Sequence, residues 1–161
     1  RIIINDGASV PVLGKPHVIR TTNMRKISVV DDQILVPQHR SSIGAQVKGV
    51  LKSLARDHLA RASDHYAQRL GHSYQGLRLR DTRSRWGSCS SDGYLMYSWR
   101  LVMAPRDVLN YVAAHEVAHL VEMNHAKSFW SVVHHIFGDY EQPRNWLRTS
   151  GNQLHRYDFN S

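Results

Sequence analysis

Cysteine is nearly missing from this chain: Cys89 is the only one in 161 residues. No disulfide can form within it, and a reducing, cytoplasmic setting is the expectation. Long apolar runs are missing too. None approaches the roughly 20 residues needed to cross a bilayer, so no membrane partner is expected. Nothing at the start reads as a signal peptide, because Arg1-Ile2-Ile3-Ile4 runs almost directly into the turn residues Asn5-Asp6-Gly7. The chain opens without Met, and an upstream portion is expected. Repeats and low-complexity stretches are absent. Acidic residues are sparse, 13 against 21 basic, for a formal charge of +8. That excess allows nucleic acid or a nucleotide as partner. The basic residues are scattered, however, and a merely soluble basic surface accounts for them as well.

Glutamate is scarcer still, with Glu116, Glu122 and Glu141 against 11 histidines. One of these three stands in the sequence Ala113-Ala114-His115-Glu116-Val117-Ala118-His119-Leu120. On a helix, residues four apart share a face, so His115 and His119 can hold one metal ion between them. Glu116 lies about 100° further round, poised to reach a water at the metal rather than to ligate. The spacing is that of zinc peptidases, with two histidine ligands and a glutamate general base. Chance would produce the pattern in roughly one such chain in a hundred. An amphipathic helix with a polar stripe is the plainer alternative. The flanks Val112, Ala113, Ala114, Val117, Ala118 and Leu120 are too apolar for it, and a buried His-Glu-His cluster needs something to satisfy it.

The rest of the chain reads as α+β. Residues 2–36 hold several short β-branched runs separated by turn signals, expected to form a small sheet or meander. His17 and His39 are expected at its surface. Ser41 or Ser42 caps a long helix, 42–71, stopped by Gly71. Its His58, His65 and His72 belong to a solvated face. Leu77 and Leu79 alternate with Arg78 and Arg80 in a half-buried strand. A turn-rich stretch, 83–93, follows, and Tyr94 to Val102 reads as the next strand. Pro105 and Asp107 open the motif helix, which is expected to stop near Met123-Asn124. A helix from Lys127 to Phe137 and a short one from Pro143 to Thr149, closed by Gly151, complete the chain. The whole, 1–161, is expected to be one domain: a β-rich N-terminal segment over residues 1–37, the long helix 42–71 and a catalytic core 75–151.

Two histidines leave a catalytic zinc one ligand short. Glu122 shares the face of His115, but seven residues rise about 10.5 Å along a helix, too far to converge. His125, just past the expected helix end, can turn back, and is the expected third ligand. Asp139, Glu141, His134 and His135 are the alternatives. Metzincins share this histidine spacing but carry Gly where this chain has Glu122.

Four stretches resemble the YgjP-like metallopeptidase family, related to the SprT-like and WLM zinc peptidases. They are Arg85-Trp86-Gly87-Ser88-Cys89-Ser90, Trp99-Arg100-Leu101-Val102-Met103-Ala104-Pro105, Tyr111 to Leu120, and Asn124-His125-Ala126-Lys127-Ser128-Phe129-Trp130. The resemblance is tight over about 77–150. It implies a zincin-like fold, a small twisted sheet packed on the His-Glu-x-x-His helix with further helices beside it. It also implies one zinc per chain on His115, His119 and His125, with Glu116 as catalytic base. Peptide or protein is then the expected substrate.

Within that mechanism, the strand at 94–101 is expected to pair with an extended substrate. Arg85, Tyr140 or one of His134 and His135 would stabilise the oxyanion. Cys89 is expected to be a buried packing residue rather than a nucleophile. Two other functions fit the same residues. One is metal-dependent hydrolysis of a nucleotide phosphoanhydride, with Arg83 and Arg85 on the phosphates. The other is nucleic-acid binding around a structural zinc, with Trp86, Tyr94, Tyr97 and Trp99 stacking on bases.

Overall fold

A computed structural model describes residues 1–38 and 42–160; His39 and Ser41 therefore lie outside the described residues. In chain order the elements are β1 (Ile2–Ile3), β2 (Ser9–Val12), β3 (Lys15–Thr22), β4 (Ser28–Val30), β5 (Gln33–Pro37) and α1 (Ile43–Leu70). Then come β6 (Gly76–Arg80), β7 (Gly87–Cys89), β8 (Tyr94–Ser98), α2 (Arg106–Ala118), α3 (Lys127–Phe137), α4 (Glu141–Ser150) and β9 (Tyr157–Asp158). The fold is α+β. No described helix is long and apolar enough to cross a membrane.

The first four-stranded sheet has the order β2-β3-β5-β4, with β3 and β5 parallel. It is not a meander. β4 has no fully buried residue and takes the edge, whereas β5 buries Ile34 and Val36 completely and takes the centre. His17 is buried in β3 rather than exposed, and its Nδ1 donates to the Lys15 carbonyl at 2.7 Å. β3 keeps that imidazole inside because a backbone acceptor stands next to it.

α1 is bounded as its end residues dictate. The Ser42 hydroxyl accepts from the Ala45 amide at 3.2 Å. Gly71 takes the left-handed conformation, φ 78°, and sends its N–H back to the Gln68 carbonyl. Val47, Leu51, Ala55, Leu59, Ala62 and Tyr66 repeat at helical spacing on its buried face. Of its two histidines, His65 is exposed and His58 half-buried, and His72, just past the Gly71 cap, is exposed.

The second sheet is the one that positions α2. Its order is β6-β8-β7, with β6 parallel and β7 antiparallel to β8. The strand expected from Tyr94 to Val102 stops at Ser98, whose hydroxyl accepts from the Arg100 amide and opens a 3₁₀ turn, Trp99–Met103. All five residues of that turn are buried. They serve as a plug between α1 and the first sheet rather than as strand. The Tyr97 hydroxyl, fully buried, donates to the Ala113 carbonyl at 3.4 Å and shares a hydrogen bond with Ser63 at 2.9 Å. One phenol thus ties β8, α2 and α1 together. β7 itself lies within the stretch that sequence marks only as turn.

α2 ends earlier than its sequence suggests. His119 caps it, and the chain continues in tight turns from Leu120 to the Val117 carbonyl and from Val121 to the Ala118 carbonyl. Val121 and Met123 are 38% and 48% exposed. Beyond Leu120 no core remains to support another helical turn. At the other end of the chain, α4 runs into a 3₁₀ turn, Gly151–Arg156, so Gly151 is helical and not a stop. Its lack of a side chain serves packing: a Cβ there would sit 3.3 Å from the Trp86 ring.

Arg100 anchors the tail. It is 6% exposed, donates to Leu154 and Tyr157 carbonyls at 2.9 and 3.0 Å, and pairs with Asp81 at 2.7 Å. Its guanidinium also lies over the Trp99 and Phe159 rings. β9 then pairs with β1, and a Cβ on Gly44 would overlap the Phe159 carbonyl.

Burial raises the Asp81 carboxyl, and the Arg100 guanidinium outweighs it, so the group ends below its ordinary value. A depressed carboxyl adds stability above its unfolded pKa and loses it as pH falls toward the folded one. Arg100→Leu strands two carbonyls and a carboxylate, and should cost about 3 kcal/mol in urea unfolding. Asp81→Asn should flatten the loss of stability seen below about pH 4. An Arg100→Leu protein as stable as wild type would show that the tail is anchored by something else.

Candidate metal centre

α2 presents His115 and Glu116 on the side that faces β7 and α3, and His119 closes the helix. The early end lets the chain double back, so that His125 arrives from the segment before α3. Ligand atoms of His115, His119 and His125 all lie within 4.8 Å of one another. The Nε2 atoms of His119 and His125 are 3.1 Å apart. Tetrahedral bonds of about 2.05 Å would space two nitrogens by roughly 3.3 Å.

Hydrogen bonds fix which nitrogens are available. His119 donates from Nδ1 to the Glu122 carbonyl at 2.9 Å, and His115 donates from Nδ1 to Glu116 Oε2 at 2.9 Å. In both rings the neutral tautomer then carries its lone pair on Nε2. His125 is shifted below the ordinary imidazole value, first by burial and then by the two neighbouring rings. Three imidazoles gathered this closely are a donor set for a divalent transition metal.

α3 supports the rings from behind. Phe129, fully buried, stacks on His119 at 4.4 Å and meets the edges of His115 and His125 at 5.0 and 4.9 Å. Sequence assigns Phe129 to the apolar side of a helix, and its place against all three imidazoles emerges only from packing.

Glu116 is 5% exposed and stays outside the ligand set. Its seat is made by a glycine. A Cβ on Gly87 would stand 2.8 Å from Glu116 Cγ and 3.1 Å from Oε2. In sequence Gly87 reads as one more turn residue. Its role becomes visible once β7 is seen lying over α2.

The site opens into a cleft of about 500 Å³ between β7, α2 and α4. Trp86, Val112 and Leu147 give it apolar walls, and Arg85 lines it from the β7 side. Tyr111 lines it as well, and burial pushes its phenol up to about 12, so it remains a hydrogen-bond donor. Cys89 is half-buried on the same wall. Burial, then Glu116 and Asp92, push its thiol up to about 11, which leaves it protonated and poorly nucleophilic.

Other residues singled out from sequence fall elsewhere. Tyr140 packs its ring on Trp130 at 5.1 Å and Tyr111 at 6.2 Å, outside the cleft lining. His134, His135, Asp139 and Glu141 are outside the histidine cluster. Glu122 contributes its carbonyl, not its carboxylate. Since α2 ends at Ala118, helical rise is not what keeps that carboxylate away. Arg83 lines a separate cavity with Lys48 and Arg156, so Arg83 and Arg85 do not act together. Tyr97 and Trp99 are core residues, Trp86 stacks on His155 at 4.9 Å, and only Tyr94 is exposed. No row of rings is offered to bases. β8 is flanked by β6 and β7 and cannot accept a further strand; β6 and β7 are the edges, and β7 is the one that lines the cleft.

A family model described as YgjP-like, metallopeptidase domain, matches residues 3–150. No curated protein matches. Among solved structures, the crystal structure of the metallopeptidase zymogen of Pyrococcus abyssi abylysin superposes with a TM-score of 0.51 at 20% identity. The match covers 62% of this chain and 97% of that one. At that identity the likeness is one of fold, and the fold is the zincin-like arrangement of a small sheet on the motif helix.

Metal titration separates the candidates for third ligand. His125→Ala should weaken binding by more than the roughly 10–100-fold that losing an outer hydrogen-bond partner costs. Glu122→Ala should leave it unchanged, because the carbonyl that orients His119 remains. Tight binding by His125→Ala would remove that ring from the ligand set.

Proposed function

The chain belongs to the YgjP-like metallopeptidase family, and on that premise we propose that it is a zinc-dependent peptidase. Zinc would be held by His115, His119 and His125, with Glu116 as general base. The observation that carries this reading is the pairing of three convergent imidazoles with one buried carboxylate that is held close but not among them. Zinc bound there would supply a Lewis acid and a water acidified toward neutral pH.

The protein's own groups do the remainder. Glu116, braced by Gly87, takes a proton from the water and returns it to the departing amine. Phe129 and the Glu122 carbonyl keep the imidazoles in orientation. An extended substrate docks along the free edge of β7, which lines the cleft, and not on β8. Trp86, Val112 and Leu147 accept an apolar side chain beside the scissile bond. Arg85 is our candidate for the developing oxyanion, and Tyr140 acts only through the Tyr111 ring it stacks on.

Two further observations favour peptide over the rival substrates. A phosphoanhydride at the metal would be gripped by Arg83 and Arg85 together, and Arg83 lines another cavity. A structural zinc is normally closed by four protein ligands, whereas the cluster has three among the described residues and opens to a cleft.

Glu116→Gln should retain metal and fold and lose hydrolysis of an unfolded protein by about a hundredfold or more. Wild-type turnover in that variant would end the general-base assignment. Gly87→Ala should lower kcat while metal content holds, since the new methyl displaces Glu116 and not the imidazoles. A drop in metal content instead would show that the glycine serves the ligands.

A further inference from the structure

The outer face of the second sheet carries a charge imbalance beside the cleft. In β6, Arg78 and Arg80 point away from the core, opposite to Leu77 and Leu79. Register places Arg78 beside Met96 of β8, which in turn lies beside Ser88 of β7, so one row crosses the sheet from the arginine to the cleft-side strand. A groove of about 830 Å³ runs over this face, lined by Arg78, Arg80, Arg85 and Met96 among others. It shares Arg85, Ser88 and Cys89 with the catalytic cleft, so the two are continuous around β7.

None of the three arginines has an ion-pair partner among the described residues; the two Arg–Asp pairs use Arg1 and Arg100. The single acid on the groove, Asp92, accepts from the Ser90 hydroxyl at 2.6 Å and so holds its own loop. Three exposed guanidiniums against one carboxylate leave this face positive on a chain already at +8. Charges this close to one another repel, and an anionic ligand relieves that repulsion.

We infer that this groove is a substrate subsite for an acidic stretch of polypeptide adjoining the bond to be cut. The inference rests on the peptidase reading above and adds its substrate class. A chain leaving the cleft past Ser88 passes over Met96 toward Arg78 and Arg80. Asp or Glu side chains there pair with the arginines, bidentately where geometry permits. Exposed pairs are individually weak, so the subsite sets preference and encounter rate rather than holding the substrate by itself. The apolar pocket beside the metal and the cationic groove outside it together describe the preferred sequence: a bulky apolar residue followed or preceded by acids.

The test reads binding on the Glu116→Gln protein, so that nothing is cut. Fluorescent unfolded peptides of identical core sequence carry Glu, Gln or Lys flanks, and a single-stranded oligonucleotide serves as a fourth probe. The Glu-flanked peptide should bind about tenfold more tightly than the Gln-flanked one, and added salt should erase the difference. Adding Arg78→Glu and Arg80→Glu should abolish the preference and turn it toward the Lys-flanked peptide. Arg78→Gln with Arg80→Gln, a milder change, should abolish it without reversal. Equal binding of Glu- and Gln-flanked peptides would overturn the inference. So would an oligonucleotide that binds more tightly than the Glu-flanked peptide and is released by the same reversals, since the groove would then serve nucleic acid. If the wild-type protein cuts none of these peptides, the peptidase reading fails and the groove is still judged by its binding.

Discussion

Everything in this chain answers to one constraint: a carboxylate and an imidazole are buried on a helix otherwise made largely of Val, Ala, Leu and Tyr. Glu116 and His119 are 5% and 7% exposed, where an unsatisfied polar group costs several kcal/mol. The neighbours are chosen accordingly. Glu116 receives the His115 N–H, His119 gives its own to a carbonyl, and Phe129 closes the apolar side. The remaining nitrogen of His119, Nε2, meets His125 Nε2 at 3.1 Å, and His115 stands beside the pair.

Seating that helix takes the rest of the architecture. β7 has to come close enough to cover Glu116, and only a glycine at 87 allows it. β7 is held by β8, β8 by the Tyr97 hydroxyl on α2 and α1, and the sheet's far end by Arg100 and Asp81. The tail returns through Arg100 to pack Gly151 and His155 against Trp86, a wall of the cleft. A residue near the C-terminus therefore shapes the site through one aromatic ring.

Sequence reveals the elements whose signals are local. The caps Ser42 and Gly71, the 3.6-residue period of α1 and the bounds of α3 need nothing beyond the chain itself. The histidine cluster is only partly legible: the spacing of His115 and His119 is a local fact, but the stop that frees His125 comes at Ala118 and not at the Asn124 that suggested it. What stays hidden depends on long-range contact. The helix end at Ala118 is set by where the core runs out, not by Asn124. β7 is three residues among turn formers and becomes a strand only by pairing with β8. His17 is inside because a backbone carbonyl stands within reach. Gly151 looks like a stop and is a packing site for Trp86. Phe129 and Gly87 carry no pattern at all that would mark them as neighbours of the histidines and of Glu116.

The brevity of β7 has a consequence of its own. Three residues with one free edge can offer an incoming chain only two or three backbone hydrogen bonds, each worth about 1 kcal/mol net. Main-chain pairing at that level selects for segments that have a backbone to spare, such as unfolded stretches and loose termini, and passes over chains already paired in their own sheets. It also fixes register poorly. A polypeptide lying there can slip by two residues at little cost, keeping the same face toward the cleft. If the site cuts polypeptide docked in this way, its products would form a ladder of ragged ends rather than one fragment, and sharp cleavage would have to come from whatever the side chains read on either side.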